Sequence, residues 1–417
     1  MRFLIPNLNR AFLLAVPLGL LFCLPVRAQS HYSKAVLDAL RKTFQDNGFE
    51  AIPKDRTKWK KWANPEKEPT HEARVELGRQ LFHDPRLSKS RMVSCAKCHV
   101  PGLAGTDGLK VSHGLHGKPN PHKLNTPTVF NSVFNTSHFW DGRSPNLENQ
   151  ADISLGGLHE MAFDLPAAVD FFRKVPGYQE SLKTLYSASF PKDLNSHTNL
   201  QQGRKAYDGV LDSIARFQRE LLTPAPFDEF VLGKDDAISA LAIEGALLFV
   251  QKNCIECHDG PALGGQQMAD FPSYGEYPWL DKKSLYLKGE KAELKVPLLR
   301  NVGRTAPYFH DGNVPSLKGA IGWMGKLQLD IELSDAEILA LEEFLISLNG
   351  DLSGNKWPVL PVESNLLPEE MMELSEQANN YKVPTVERMP NEETRRPQVF
   401  MRSLTIPLNF KKGRQGQ

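Results

Sequence analysis

Cys95-Ala96-Lys97-Cys98-His99 and Cys254-Ile255-Glu256-Cys257-His258 are two copies of the string Cys-x-x-Cys-His. Two thiols on one helical turn can bond the two vinyl groups of a porphyrin, and the histidine that follows is carried under the iron as its proximal ligand. The string is therefore the attachment signature of a covalent c-type haem, and its repetition implies two of them. A zinc site or a redox Cys-x-x-Cys would make the adjacent histidine a coincidence, twice. The remaining cysteine, Cys23, lies in an apolar leader. The mature chain thus commits every cysteine to the two motifs and has none for a disulfide.

With one histidine on each iron, the sixth position decides what the iron does: a thioether there suits electron transfer, and an open position admits a small oxidant. Met324 follows the second motif in the way a loop-borne thioether ligand would; the bland alternative is a methionine packed on the porphyrin. The loop after His99 offers His113, His116 and His122. Each is a candidate cap for the first iron, and each reads equally as a surface histidine in a Gly/Pro-rich loop. Glu160 is a carboxylate that, if it lies near an open haem, could move protons between the two oxygens of a peroxide; a lone glutamate is more often a solvated charge.

The elements that carry these residues are helical. Ser33 caps an expected helix with apolar Val36, Leu37, Leu40 and Phe44, ending near Gly48. Ala206, Val210, Ile214, Phe217 and Leu221 form a second stripe, stopped by Pro224 and Pro226. Ser334-Asp335-Ala336-Glu337 is a capping box ahead of Ile338, Leu341, Leu345 and Leu348. No convincing alternating strand appears. The chain also repeats itself. Gly78-Arg79-Gln80-Leu81-Phe82 precedes the first motif and Gly245-Ala246-Leu247-Leu248-Phe249 the second. Pro127-Thr128-Val129-Phe130-Asn131 resembles Pro297-Leu298-Leu299-Arg300-Asn301, and thirteen residues after each proline stand Trp140 and His310, each followed by Asp-Gly. The expected fold is mainly α, with two cytochrome-c-like haem domains in tandem, long loops, and N- and C-terminal extensions.

Residues 1–28 read as a secretory signal, with Arg2 and Arg10 ahead of an apolar core and cleavage after Ala28. The expected division is then an extension at 29–75, a first haem domain at 76–223, a linker at Pro224–Asp236, a second haem domain at 236–350 and a proline-containing tail at 351–417. Both extensions read as extended or partly disordered surface chain. No stable membrane span is expected in the mature chain. A net charge of +1 without a basic stripe argues against a nucleic-acid binder. Export places the protein in the periplasm.

These residues resemble the bacterial di-haem cytochrome c peroxidase family, which includes the MauG-type enzymes. The resemblance runs over roughly residues 72–350. It rests on Leu81-Phe82-His83-Asp84-Pro85-Arg86-Leu87-Ser88, Asn125-Thr126-Pro127-Thr128, Phe139-Trp140-Asp141-Gly142-Arg143, Glu160-Met161, Val296-Pro297-Leu298-Leu299-Arg300-Asn301 and Ala306-Pro307-Tyr308-Phe309-His310-Asp311-Gly312, besides the haem motifs. It implies hydrogen peroxide as substrate and a small periplasmic electron donor, a c-type cytochrome or cupredoxin. It implies that His99 holds the low-potential, peroxidatic haem, and that His258 and Met324 hold the high-potential haem. Trp140 would assist electron transfer between them and Glu160 would be the acid–base residue. One calcium ion would be held by the Asn125 side chain and the carbonyls of Thr305 and Pro307, an oxygen shell suited to that hard cation. A homodimer is also implied. Many family members cap the resting peroxidatic haem with a histidine in a Ser-x-Gly-His string. Here the string is Ser112-His113-Gly114-Leu115-His116, which makes His116 the best candidate, ahead of His113. MauG-type enzymes carry a tyrosine where this chain has Met324, which favours the peroxidase branch. The rivals are a MauG-like oxidase of a protein substrate, a di-haem electron carrier, and a peroxide-binding sensor.

Overall fold

The computed structural model describes residues 32–280, 287–288, 291–354 and 357–363, all within the first of two compact units, Met1–Leu366; the second, Leu367–Gln417, lies outside them. The expected signal segment and most of the expected tail also lie outside the described residues. Helices dominate: α1 Lys34–Asp46, α2 His71–His83, α3 Leu147–Gly156, α4 Leu165–Lys174, α5 Pro176–Tyr186, α6 His197–Arg219, α7 Ala240–Gln251, α8 Leu317–Leu329 and α9 Asp335–Ser347, with single turns between them. No helix among the described residues is long and apolar enough to cross a membrane.

The local signals set the helix ends. The Ser33 hydroxyl accepts from Val36 N. Ser334 and Glu337 close the reciprocal capping box, which satisfies donors a helix start otherwise leaves bare. The α6 stripe is fully used, with Ala206, Val210, Ile214 and Phe217 buried.

The repeat is structural as well as sequential. Helix α2 packs on α6, and α7 packs on α9. A glycine sits at each crossing: a Cβ on Gly78 would lie 1.8 Å from Ser213 O, and one on Gly245 would lie 1.8 Å from Ala340 O. Asn131 and Asn301 both adopt the left-handed conformation, and both donate through Nδ2 to Thr223 Oγ1, at 2.8 and 2.9 Å. Their Oδ1 atoms accept from Thr223 N and Gly350 N. The bridge His138↔Ser144 in the first half is matched by Tyr308↔Val314 in the second. Asn146 and Ser316 then cap α3 and α8 through equivalent bonds.

Two apolar cores result. The first gathers α2, α4, α5 and α6 through Leu81, Phe82, Phe172, Tyr178 and Ile214. The second gathers α1, α7, α8 and α9 around Phe44, Phe227, Phe249 and Phe344, whose rings meet at 4.9–6.2 Å. Each such ring contributes roughly 1.5–3 kcal/mol on burial.

Three expectations need correction. The N-terminal extension is not surface chain: α1 inserts Leu37, Leu40 and Phe44 into the second core. The Pro224–Asp236 stretch is not a loose linker. Pro226 opens a short helix, Pro226–Val231, a position where its missing N–H costs nothing, and Phe227 and Phe230 are fully buried. A three-stranded antiparallel sheet is also present, β1 Met268–Phe271, β2 Leu287–Lys288 and β3 Lys291–Lys295, in the order β1-β3-β2. Of the tail, residues 357–363 do run along the first half: Gln80 and Arg86 donate to the carbonyls of Val359 and Pro361.

Candidate active site

The first motif forms one helical turn, Cys95–Cys98, after Ser94. His99 follows, its N–H returned to Cys95 O at 2.8 Å. Its Nδ1 meets Gly105 O at 3.0 Å. A carbonyl can only accept, so Nδ1 carries the proton and Nε2 keeps the lone pair that an iron needs. The second motif repeats the arrangement: His258 N bonds Cys254 O and Nδ1 meets Leu263 O at 3.3 Å. Burial lowers the basicity of His99 and pushes His258 down to about 4, which favours the neutral ring in both. Burial also pushes the Cys95 thiol up to about 12 and those of Cys98 and Cys254 up to about 11. Among the described residues no three His, Cys, Asp or Glu side chains converge as a metal cage. Thiols bonded to a porphyrin would need no ionisation.

A cavity of about 400 Å³ opens beside the first motif, lined by Cys95, Cys98 and His99 on one side and by Glu160, Met161 and Trp140 among others. The second half contributes Lys295, Pro297, Thr305, Pro307 and Phe309. The fit to a haem is supported by Lys295. This lysine is buried, with Asn135 Oδ1 at 3.5 Å as its polar neighbour and no carboxylate partner among the described residues. Burial alone pulls its ammonium down to about 8. A buried cation facing a cavity without a counter-ion suits a porphyrin propionate.

Glu160 is half-buried in the cavity wall. Burial raises its carboxyl above the usual range, partly offset by a Ser154 hydrogen bond and by Arg143, His122 and His159. The loop opposite is pressed against it. Leu115 N bonds His159 O at 3.3 Å, and a Cβ on Gly114 would lie only 1.9 Å from that same oxygen. Gly114 therefore sets the distance between the histidine-bearing loop and Glu160.

The three loop histidines are placed differently. His122 lines the cavity. His113 is half-buried, with an Nδ1 that has no hydrogen-bond partner. His116, the expected distal ligand, is exposed with φ 57° and does not line the cavity. In this conformation His122, not His116, is the loop histidine at the cavity.

Trp140 joins the halves. Its Nε1 donates to Asn125 O at 2.9 Å, it lines the first cavity, and it packs on the cluster of Phe271, Tyr277 and Leu327 that also takes in Trp323 and Met324. Met324 is half-buried on α8. Asn125, Thr305 and Pro307 all line this cavity, and the Asn125 amide is oriented by Nδ2 donating to Leu109 O at 2.8 Å. Lys295 was not picked out from sequence, and Arg143 and Gly114 stood in quoted strings without a role. Lys295 directly precedes the Val296-Pro297 string, the one signal that pointed its way.

The di-haem cytochrome c peroxidase family model matches residues 72–236. The chain is 34% identical over 306 residues to a cytochrome c551 peroxidase of Nitrosomonas europaea, covering 72% of this chain and 87% of that protein. It is 32% identical to the methylamine utilization protein MauG of Methylophilus methylotrophus, over 69% of this chain and 86% of that protein. Among solved structures, the diheme peroxidase BthA of Burkholderia thailandensis superposes with a TM-score of 0.53 at 18% identity, covering 70% of this chain and 91% of the other, a likeness of fold. The chain belongs to the di-haem cytochrome c peroxidase family, as an oxidoreductase that takes peroxide as acceptor.

Proposed function

We propose that this chain is a periplasmic peroxidase, exported by cleavage after Ala28, that reduces hydrogen peroxide to water with electrons from a small c-type cytochrome or cupredoxin. Two haem domains, 76–223 and 236–350, each hold one covalent haem through Cys95, Cys98 and His99, and through Cys254, Cys257 and His258. When bound, the haems supply the redox chemistry, with peroxide taken at the His99 side and donor electrons at the side served by His258 and Met324. The observation that carries this reading is Glu160: a carboxyl raised by burial, in the wall of the cavity that contains His99.

Glu160 takes a proton from one peroxide oxygen and delivers it to the other, a task that favours a carboxyl with a raised pKa. Gly114 and Leu115 hold their loop against His159, and so fix where Glu160 points. Trp140, touching both the cavity and the Met324 cluster, is the side chain on the route between halves. Lys295 would offset the charge of a haem propionate. Asn125, Thr305 and Pro307 would hold one calcium ion with oxygen ligands. His116 is exposed in this conformation, so it would serve the first haem only if the Ser112–Asn125 loop carried it inward. The working form is a homodimer.

The relatedness to MauG supports a second reading, oxidation of a protein substrate. Met324 speaks against it. Near-infrared magnetic circular dichroism decides between them: a His–Met signature supports the peroxidase, and a His–Tyr signature supports the oxidase. Glu160→Gln with both haems retained and peroxide turnover unchanged would remove the assignment of Glu160.

A further inference from the structure

Tyr277 is buried, yet its hydroxyl donates to Asp311 Oδ1 at 2.9 Å. Asp311 is itself buried. Its other partners are the N–H and amide of Asn313, and no lysine or arginine pairs with it among the described residues. As packing alone this is an expensive choice, because a buried carboxylate without a cation is costly and phenylalanine would fill the ring's space. The pair becomes useful if the phenol must lose an electron. A phenol is oxidised far more readily when a base already accepts its hydrogen bond, since the proton leaves with the electron.

The surroundings supply both ends of a route. The Tyr277 ring lies 6.1 Å from that of His310, and His310 lies 6.3 Å from Trp140. On the other side Tyr277 is 5.3 Å from Trp279 and 6.2 Å from Trp323, which are 5.8 Å from each other. Trp279 is 44% exposed. Phe271 and Phe309 jacket Tyr277 at 5.1 and 5.6 Å. Each ring contact along the route is short for electron tunnelling, with His310 bridging Trp140 and Tyr277, and Trp140, Tyr277 and Trp279 are oxidisable.

We propose that Tyr277, paired with Asp311, relays an oxidising equivalent from Trp140 to the surface at Trp279 when the enzyme meets peroxide without a donor. This rests on the peroxidase reading, which supplies peroxide as the oxidant. In the step itself, one-electron-oxidised Trp140 takes one electron from Tyr277, and the phenolic proton passes to Asp311. The products are restored Trp140, a neutral phenoxyl radical and a protonated carboxyl. Trp279 then returns an electron to Tyr277 and Asp311 returns the proton. The vacancy is left on an exposed indole, which a one-electron reductant in solution, a thiol or a phenol, refills. The relay keeps the cavity from oxidising its own walls.

The test mixes wild-type, Tyr277→Phe, Asp311→Asn and Trp279→Phe holoproteins with stoichiometric hydrogen peroxide and no donor. Rapid-freeze EPR and mass mapping of oxidised peptides are the readouts. Wild type gives a tyrosyl signal and oxygen added at Trp279. Tyr277→Phe loses the tyrosyl signal and the Trp279 oxidation, with oxidation moving to residues that line the cavity. Asp311→Asn weakens both, and Trp279→Phe keeps the tyrosyl signal and lengthens its life. The haem absorption responds to peroxide alike in all four. An unchanged radical spectrum and unchanged Trp279 oxidation in Tyr277→Phe would overturn the relay. Haems that ignore peroxide in the wild type would instead overturn the peroxidase reading on which it stands.

Discussion

Asp228→Ala should be among the most destabilising single changes in the chain. Asp228 is 1% exposed and Arg300 is fully buried. The carboxylate accepts four bonds: from Arg300 Nη1 at 2.8 Å and Nη2 at 2.7 Å, from Ile52 N at 2.9 Å and from Ala225 N at 2.7 Å. Arg300 also donates to Pro261 O and Glu50 O and lies over the Phe49 ring. One ion pair thus ties the N-terminal extension, the Pro226–Val231 helix and the Val296–Asn301 segment together. Removing the carboxylate strands a buried guanidinium, which costs about 3–5 kcal/mol. It also leaves two backbone donors unmatched, each worth roughly 1–3 kcal/mol if water does not reach it. Denaturant unfolding of the holoprotein, followed by tryptophan fluorescence, reads the loss. Adding Arg300→Met to Asp228→Ala removes the stranded charge and should recover part of it. A loss under about 1 kcal/mol for Asp228→Ala, the range of an exposed pair, would refute the buried staple.

Glu160→Gln should lower peroxide turnover by about 10²–10⁴-fold, the span of a general acid–base group, with both haem spectra intact. Because burial raises the Glu160 carboxyl, the basic form is lost as pH falls through a pKa above the usual ~4.3. The acid limb of kcat/KM in wild type should therefore sit above that value and vanish in Glu160→Gln. Gly114→Ala pushes a methyl into His159 O. A displacement of Glu160 by about 1 Å is worth on the order of 10²-fold in kcat/KM, without loss of haem. His116→Gly should leave the oxidised first haem five-coordinate and high-spin by EPR; a six-coordinate low-spin signal would show that His116 is not its cap.

What was legible in the sequence was local. Two Cys-x-x-Cys-His strings, the caps at Ser33 and Ser334, the α6 stripe and the matched repeat strings all concern residues close in the chain, and the structure bears out the helices they signalled. The missed features depend on partners far away. β1 shows no alternation, its burial running from half-buried to exposed to buried, and its pairing with β3 is fixed only by the fold. Phe44 reads as any amphipathic residue until Phe227 and Phe344 meet it. Pro224 and Pro226 suggested a linker, whereas Pro226 starts a helix whose Asp228 finds its cation 72 residues away. Glu160 and Trp140 gained a shared cavity, while His116 did not join them. Lys295 and the Tyr277–Asp311 pair acquire meaning only once burial is known, because a lone lysine or tyrosine carries no spacing signal.

The most direct test of the central claim is steady-state peroxide reduction by calcium-loaded holoprotein with a reduced small c-type cytochrome as donor. It should be run before and after selective one-electron reduction of the haem proposed to be held by His258 and Met324. The account predicts saturable turnover that depends on Glu160. Two intact haems that fail to turn over peroxide with any small redox donor, in either state, would contradict it.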